Sequence, residues 1–107
     1  MTALNSPFAV RQFTTTDADA LAATLKAIAD PVRLRILALL AESGELTVTD
    51  LIPVLQLTQP TVSHHLKILG AAGLIDERQV GPERRRKLNA DAIRALAKVI
   101  DPWGGAR

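Results

Sequence analysis

Apolar residues recur along this chain at helical spacing in five stretches, and two short stretches near the C-terminal end read as strands. Leu21, Leu25 and Ile28 give the first stripe, at the i, i+4, i+7 interval that marks one face of a helix. Thr16 stands before Asp17 and Asp19, and so predicts an N-cap followed by first-turn acids that suit the helix dipole. At Asp30-Pro31 the chain breaks and restarts, with the aspartate as cap and proline in the first helical position, where its missing amide costs nothing. The second helix, Pro31 to about Glu42, carries Val32, Leu34, Ile36, Leu37, Leu39 and Leu40. Apolar groups nearly all round its axis place it at the centre of a small domain.

Ser43-Gly44-Glu45 is a turn, and Thr47 with Asp50 three positions on predicts a reciprocal cap. The third helix runs to about Gln56 through Leu51, Ile52 and Leu55, with Pro53 in its second turn, where a proline is expected to loosen or kink the helix. After the turn at Leu57-Thr58, a fourth helix is predicted from Thr58 to Ala72: Thr58 caps, Pro60 lies near the start and Gly73 closes. A short helix, a turn and a second helix make a helix-turn-helix. Leu74–Val80 and Arg84–Leu88 read as strands meeting at Gly81-Pro82, a hairpin wing. Asn89 caps the last helix, Asp91 lies in its first turn, and Ile93, Leu96, Ala97 and Ile100 form its stripe. Residues 1–15 lack periodicity and are expected to be a flexible arm whose Phe8, Val10 and Phe13 could dock on a dimer. Residues 16–101 form the single domain and 102–107 a tail.

The fourth helix carries the most information. Opposite its Val62, Leu66 and Leu69 stripe lie Pro60, His64 and Lys67, flanked by Thr61 and Ser63. A helix meant only for solvent carries mostly Glu, Lys and Arg on that side. Short donors and acceptors instead suit a helix laid in the DNA major groove, where base edges are read by hydrogen bonds. Gln59, Thr61, Ser63 and His64 are the expected reading residues, and Lys67 is expected to meet phosphate as a flexible point charge. His65 falls beside the apolar stripe and is expected to be a boundary residue bonded to the scaffold.

Composition narrows the class. The 107 residues allow one domain, and with 48% hydrophobic but only 3% aromatic residues the core must be aliphatic. Residues 1–58 hold four Lys/Arg against six Asp/Glu, a net of −2, whereas residues 59–107 hold nine against five, a net of +4. The basic excess therefore accompanies the reading helix and the segments C-terminal to it, as a nucleic-acid footprint does. With no cysteine, disulfides, thiol sensing and thiolate metal sites are excluded. No secretory signal or membrane-spanning run is read, so a cytoplasmic location is expected.

Gln59-Pro60-Thr61-Val62-Ser63-His64-His65-Leu66-Lys67, then Leu69 and Ala72-Gly73-Leu74-Ile75, resemble the recognition helix and following strand of the ArsR/SmtB family. Asp30-Pro31-Val32-Arg33-Leu34-Arg35-Ile36-Leu37 is similar to that family's second-helix signature. The likeness spans about Leu21 to Ile100 and is strongest between Asp30 and Gly81. It implies a mainly α winged helix-turn-helix with a small β-hairpin wing, five helices with the hairpin before the last. It also implies a homodimeric repressor on a pseudo-palindromic double-stranded DNA operator. In that family the first and last helices pack across the two-fold, which here assigns Leu21, Leu25, Ile93, Leu96, Ala97, Ile100 and Trp103 to the dimer interface.

The wing adds Arg84, Arg85, Arg86 and Lys87, with Arg78 across the hairpin and Glu77 and Glu83 as counter-charges. At winged-helix spacing Arg78, Arg84, Arg85 and Arg86 are expected to contact phosphate or the minor groove. Alternation separates Arg84 and Arg86 from Arg85 and Lys87 without saying which pair faces DNA. Arg33 and Arg35 of the second helix are expected to solvate or pair rather than touch DNA.

No cofactor is expected. Where the family places two cysteines in Glu-Leu-Cys-Val-Cys-Asp-Leu, this chain has Thr47 and Thr49, and hydroxyls are poor ligands for soft metals. The family's other site uses Asp and His on the last helix; Asp91 is present, but no histidine follows His65. His64 and His65 diverge by about 100° on a helix and cannot chelate together. A weak oxygen-rich metal site at Asp17, Asp19 or Asp101 stays open. Enzymatic function is not expected, because Asp76 and Glu77 face opposite sides of a strand and no phosphate loop or nucleophile elbow is present. Two readings from other classes stay beside the repressor: a winged-helix interaction module acting through a regulatory protein partner, and a metal-responsive or metal-carrying protein.

Overall fold

The computed structural model describes residues 13–101, in the order α1 (Thr15–Ile28), α2 (Pro31–Ser43), α3 (Val48–Leu55), α4 (Gln59–Ala71), β1 (Ile75–Val80), β2 (Glu83–Leu88) and α5 (Ala90–Ile100). Phe8, Val10, Trp103 and most of the expected arm and tail lie outside those residues. The order of helices and hairpin is that of a winged helix-turn-helix.

Side-chain caps set most helix starts. Asp30 Oδ2 accepts from the amides of Val32 at 2.9 Å and Arg33 at 3.0 Å, so two of the unpaired first-turn donors of α2 are satisfied. Thr47 and Asp50 cap α3 reciprocally, at 3.1 and 2.9 Å. Asn89 accepts from Ala92 to open α5. The start of α1 differs from expectation: Thr14, not Thr16, is the cap, in a reciprocal pair with Asp17 at 3.1 and 2.9 Å. Thr14–Asp17 and Thr16–Asp19 have the same spacing, and the outer pair adds turns such as Ala18 N–H to Thr14 O at 3.0 Å. Pro53 does not interrupt α3, which runs continuously to Leu55. Its cap and the burial of Leu51 and Leu55 outweigh the one hydrogen bond the proline cannot donate.

The core is aliphatic. Ile36 and Leu40 of α2, Leu51 of α3, Val62, Leu66 and Leu69 of α4, and Leu74 are fully buried. Contrary to the expectation for α2, it is not enclosed on every side, since Leu34 is 51% exposed. The strands pair antiparallel with Glu77 opposite Arg86, Arg78 opposite Arg85 and Gln79 opposite Arg84. Gly81 at the tip has φ 59°, a conformation that glycine adopts without strain. Leu46 adds a bridge to Arg86, its amide donating at 3.0 Å and its carbonyl accepting at 2.9 Å. This fixes the wing to the turn before α3.

Three carboxyls ionise more readily than usual. The amide of Arg33 holds Asp30 below the ordinary 3.8, the amide of Thr47 does the same for Asp50, and the Arg78 side chain holds Glu45 below 4.5. A group whose folded pKa is lowered stabilises the fold above its unfolded value, and that contribution is lost as pH falls through the folded one. Thermal unfolding followed by circular dichroism is therefore expected to give a midpoint steady at neutral pH that falls as pH drops below the 3.8–4.5 range. Asp50→Asn should blunt the fall, whereas an undiminished midpoint at pH 3 would contradict these assignments.

Candidate nucleic-acid interface

The helix-turn-helix is α3, a three-residue turn (Gln56, Leu57 and Thr58) and α4. The turn works because Gln56 takes the left-handed conformation, φ 57° and ψ 44°, which reverses the chain after one short helix. Thr58 then caps α4, its hydroxyl accepting from the Thr61 amide and lying 2.9 Å from the Thr61 hydroxyl. Burial of Val62, Leu66 and Leu69 sets which side of α4 faces the core. Gln59, Thr61, His64 and Lys67 are exposed and Ser63 is half-buried. Gln59 Nε2 donates to Ser63 Oγ at 3.1 Å, which orders two of the expected reading side chains in advance. Lys67 makes no ion pair among the described residues.

His65 lies at the boundary, as its place on the helical wheel predicts. Its Nδ1 is 3.2 Å from Arg33 Nη1 and 3.8 Å from Asp30 Oδ2. Arg33 Nε also donates to the carbonyl of Ala27 at the end of α1. Arg35 Nη2 donates to Val54 O at 3.2 Å. Both α2 arginines are thus tied within the fold.

The two faces of the wing differ in their surroundings. Glu77, Gln79, Arg84 and Arg86 line an open cleft shared with Thr49, Gln59, Ser63 and Lys67. Arg78 and Arg85 are register partners on the other face, with Glu45 and Lys87 beside them. Arg86, expected among the DNA contacts, is only 9% exposed and bonds Glu77 at 3.2 Å. Its backbone bridges Leu46, while its side chain lines the floor of the same cleft beside Glu77. Arg84 is 59% exposed and 3.8 Å from Glu77. Arg85 is paired with Glu83 at 2.8 Å and Arg78 with Glu45 at 2.9 and 3.2 Å. Like charges opposite one another across strands repel, and these two acids offset the Arg78–Arg85 pair.

Sequence reasoning missed Glu45 and Thr49 as parts of this surface. Glu77 is visible as a counter-charge, but Glu45 reads only as a turn residue, and its pairing with Arg78 depends on the Leu46 bridge that brings this turn against the wing. Thr47 is buried with its hydroxyl committed to the Asp50 amide, and Thr49 faces the cleft. No group of three or more His, Cys, Asp or Glu that could hold a metal ion occurs among the described residues.

A second surface is apolar. Leu25 is 41%, Val99 50% and Ile100 68% exposed, and α5 buries no residue. Leu21 and Leu96 are half-buried in a groove between α1 and α5 that also contains Phe13, Ala92 and Val99. Ala97 is exposed, whereas Ile93 packs against the core. Among the described residues no helix is long and apolar enough to cross a membrane.

The pattern that defines the family described as "Bacterial regulatory protein, arsR family" matches residues 30–77. An uncharacterized HTH-type transcriptional regulator of Methanocaldococcus jannaschii is 42% identical over 76 residues, 71% of this chain and 85% of that protein. The arsenical resistance operon repressor of Escherichia coli K12 is 41% identical over 76 residues, 71% of this chain and 65% of that one. Among solved structures, the homodimeric winged helix-turn-helix DNA-binding domain of a possible ArsR-family regulator from Mycobacterium bovis superposes with a TM-score of 0.68 at 32% identity. That similarity covers 78% of this chain and 77% of the other.

Proposed function

The chain belongs to the ArsR family of bacterial regulatory proteins, and from that premise we propose that it is a DNA-binding transcriptional repressor that works as a homodimer in the cytoplasm. The observation that carries this reading is the division of α4: three aliphatic side chains buried, and Gln59, Thr61, Ser63, His64 and Lys67 turned toward solvent or the cleft. Two such helices related by a two-fold enter successive major grooves of a pseudo-palindromic operator. Ser63, Gln59, Thr61 and His64 meet base edges or nearby phosphates, and Lys67 meets phosphate. Arg84, on the cleft face, extends the contact to the backbone, with Arg78 and Arg85 at its outer edge. The two-fold is formed by Leu21, Leu25, Leu96, Ala97 and Ile100, whose apolar surface the single chain leaves open, with Ile93 at its margin.

Two substitutions test the division of roles. A duplex is first selected from a random-sequence pool by the wild-type protein. His64→Ala or Ser63→Ala is expected to cost about 1–3 kcal/mol on that duplex and to relax preference at one or two base pairs. Arg84→Ala together with Arg85→Ala should weaken all duplexes alike and lower the salt slope by about 0.9 per lost phosphate contact. Gel retardation at several salt concentrations reads both. Identical behaviour of the two sets would contradict the assignment.

A further inference from the structure

We propose that Arg33 is a positioning residue that ties the recognition helix to α1 and fixes His65 in one tautomer, Nε2 protonated and Nδ1 bare. The inference rests on the regulator reading, because it concerns how α4 is held for DNA. Arginine can only donate hydrogen bonds, so the 3.2 Å contact between Arg33 Nη1 and His65 Nδ1 makes that ring nitrogen the acceptor. The same guanidinium donates through Nε to the carbonyl of Ala27 in the last turn of α1. Asp30 fixes the arginine's backbone: its Oδ2 accepts from the Arg33 amide at 3.0 Å, and at 3.8 Å from His65 Nδ1 it lies beyond hydrogen-bond reach of that nitrogen. One side chain thus joins the end of α1, the start of α2 and the middle of α4.

The recognition helix needs such a tie. Val62, Leu66 and Leu69 hold it to the core, but apolar burial is not directional and tolerates small rotations or slips of the helix. A hydrogen bond is directional. His65 also sits between His64 and Leu66, so its ring reports the rotation of the face that carries Ser63 and His64. On the dimer reading, α1 lies at the two-fold. The Arg33 bridge therefore sets where each reading face stands relative to the symmetry axis, and so the half-site spacing that the dimer accepts. Loss of the tie should damage selective binding and spare the phosphate contacts that support unselective binding.

Only two histidines are present, which makes the tautomer directly readable. Long-range proton–nitrogen correlation spectra of the full chain at pH 7.5 should show His65 with Nε2 protonated and Nδ1 unprotonated. A protonated Nδ1 overturns the proposal without any variant. Arg33→Met, which keeps the length and removes every donor, should weaken binding to the selected duplex at least tenfold and change binding to an unselected duplex by less than twofold. His65→Gln, whose Oε1 can still accept from Arg33, should stay within threefold of wild type, whereas His65→Leu should match Arg33→Met. The doubly substituted Arg33→Met, His65→Leu protein should be no weaker than either single variant, because both remove the same bond. Equal weakening on both duplexes, or no weakening by His65→Leu, overturns the proposal and leaves the regulator reading standing. A wild-type protein that selects no duplex would overturn the regulator reading, and this inference with it.

Discussion

Leu96→Asp is expected to yield a folded monomer whose affinity for a selected operator duplex is lower by about a hundredfold or more. Leu96 lies half-buried in the apolar groove between α1 and α5, on a helix that buries none of its own residues in the single chain. Such a face stabilises an assembly rather than the isolated domain, and a specific interface buries on the order of 1,600 Å² in total. A carboxylate placed in that contact must be desolvated without a partner, a cost of several kcal/mol. Loss of the second subunit then removes the effective concentration that makes the second half-site contact intramolecular, worth about 10²–10⁴ in affinity. Sedimentation velocity and gel retardation on the same preparation read both effects, with circular dichroism to confirm the fold. A persistent dimer, or a monomer that binds as tightly as wild type, would show that α1 and α5 do not form the two-fold.

The second large effect is on stability. Leu69→Ala is expected to cost about 2–5 kcal/mol, the range for removing a buried leucine side chain and leaving a cavity. Leu69 is fully buried, and its carbonyl accepts from the Leu74 amide at 3.1 Å, so it sits where α4 hands the chain to the wing. Small domains have about 5–15 kcal/mol in total, and each kcal/mol moves the melting midpoint by about 4–8 °C in a domain of this size. The expected fall is on the order of 10–30 °C, measurable by thermal or urea unfolding. A change below about 1 kcal/mol would mean that this position is less tightly packed than the structure places it.

Local signals in the sequence were strong enough to place most elements. Asp30, Thr47, Thr58 and Asn89 each cap the helix they precede, because capping depends on residues only two or three positions away. The stripe of Val62, Leu66 and Leu69 set the orientation of α4, and its polar face came with that orientation. Contacts between distant segments were not legible. Strand alternation separated Arg84 and Arg86 from Arg85 and Lys87, but the burial of Arg86 and its pairing with Glu77 depend on the register of the two strands. Likewise the wheel placed His65 at a boundary, while its partners lie in α2 and its cap, more than thirty positions earlier. Alternative caps at α1 differed by two residues and had equal spacing, so pattern alone could not choose between them.

The reading face of α4 is tested most directly by titrating nitrogen-15-labelled protein with a selected duplex and following each backbone amide. Amides of Thr61, Ser63, His64 and Lys67 are expected to shift most, those of Arg84 and Arg85 to shift with both selected and unselected duplexes, and those at the centre of α2 to stay in place. If α4 is unmoved while shifts gather on α1 and α5 or elsewhere, DNA is not read by this helix.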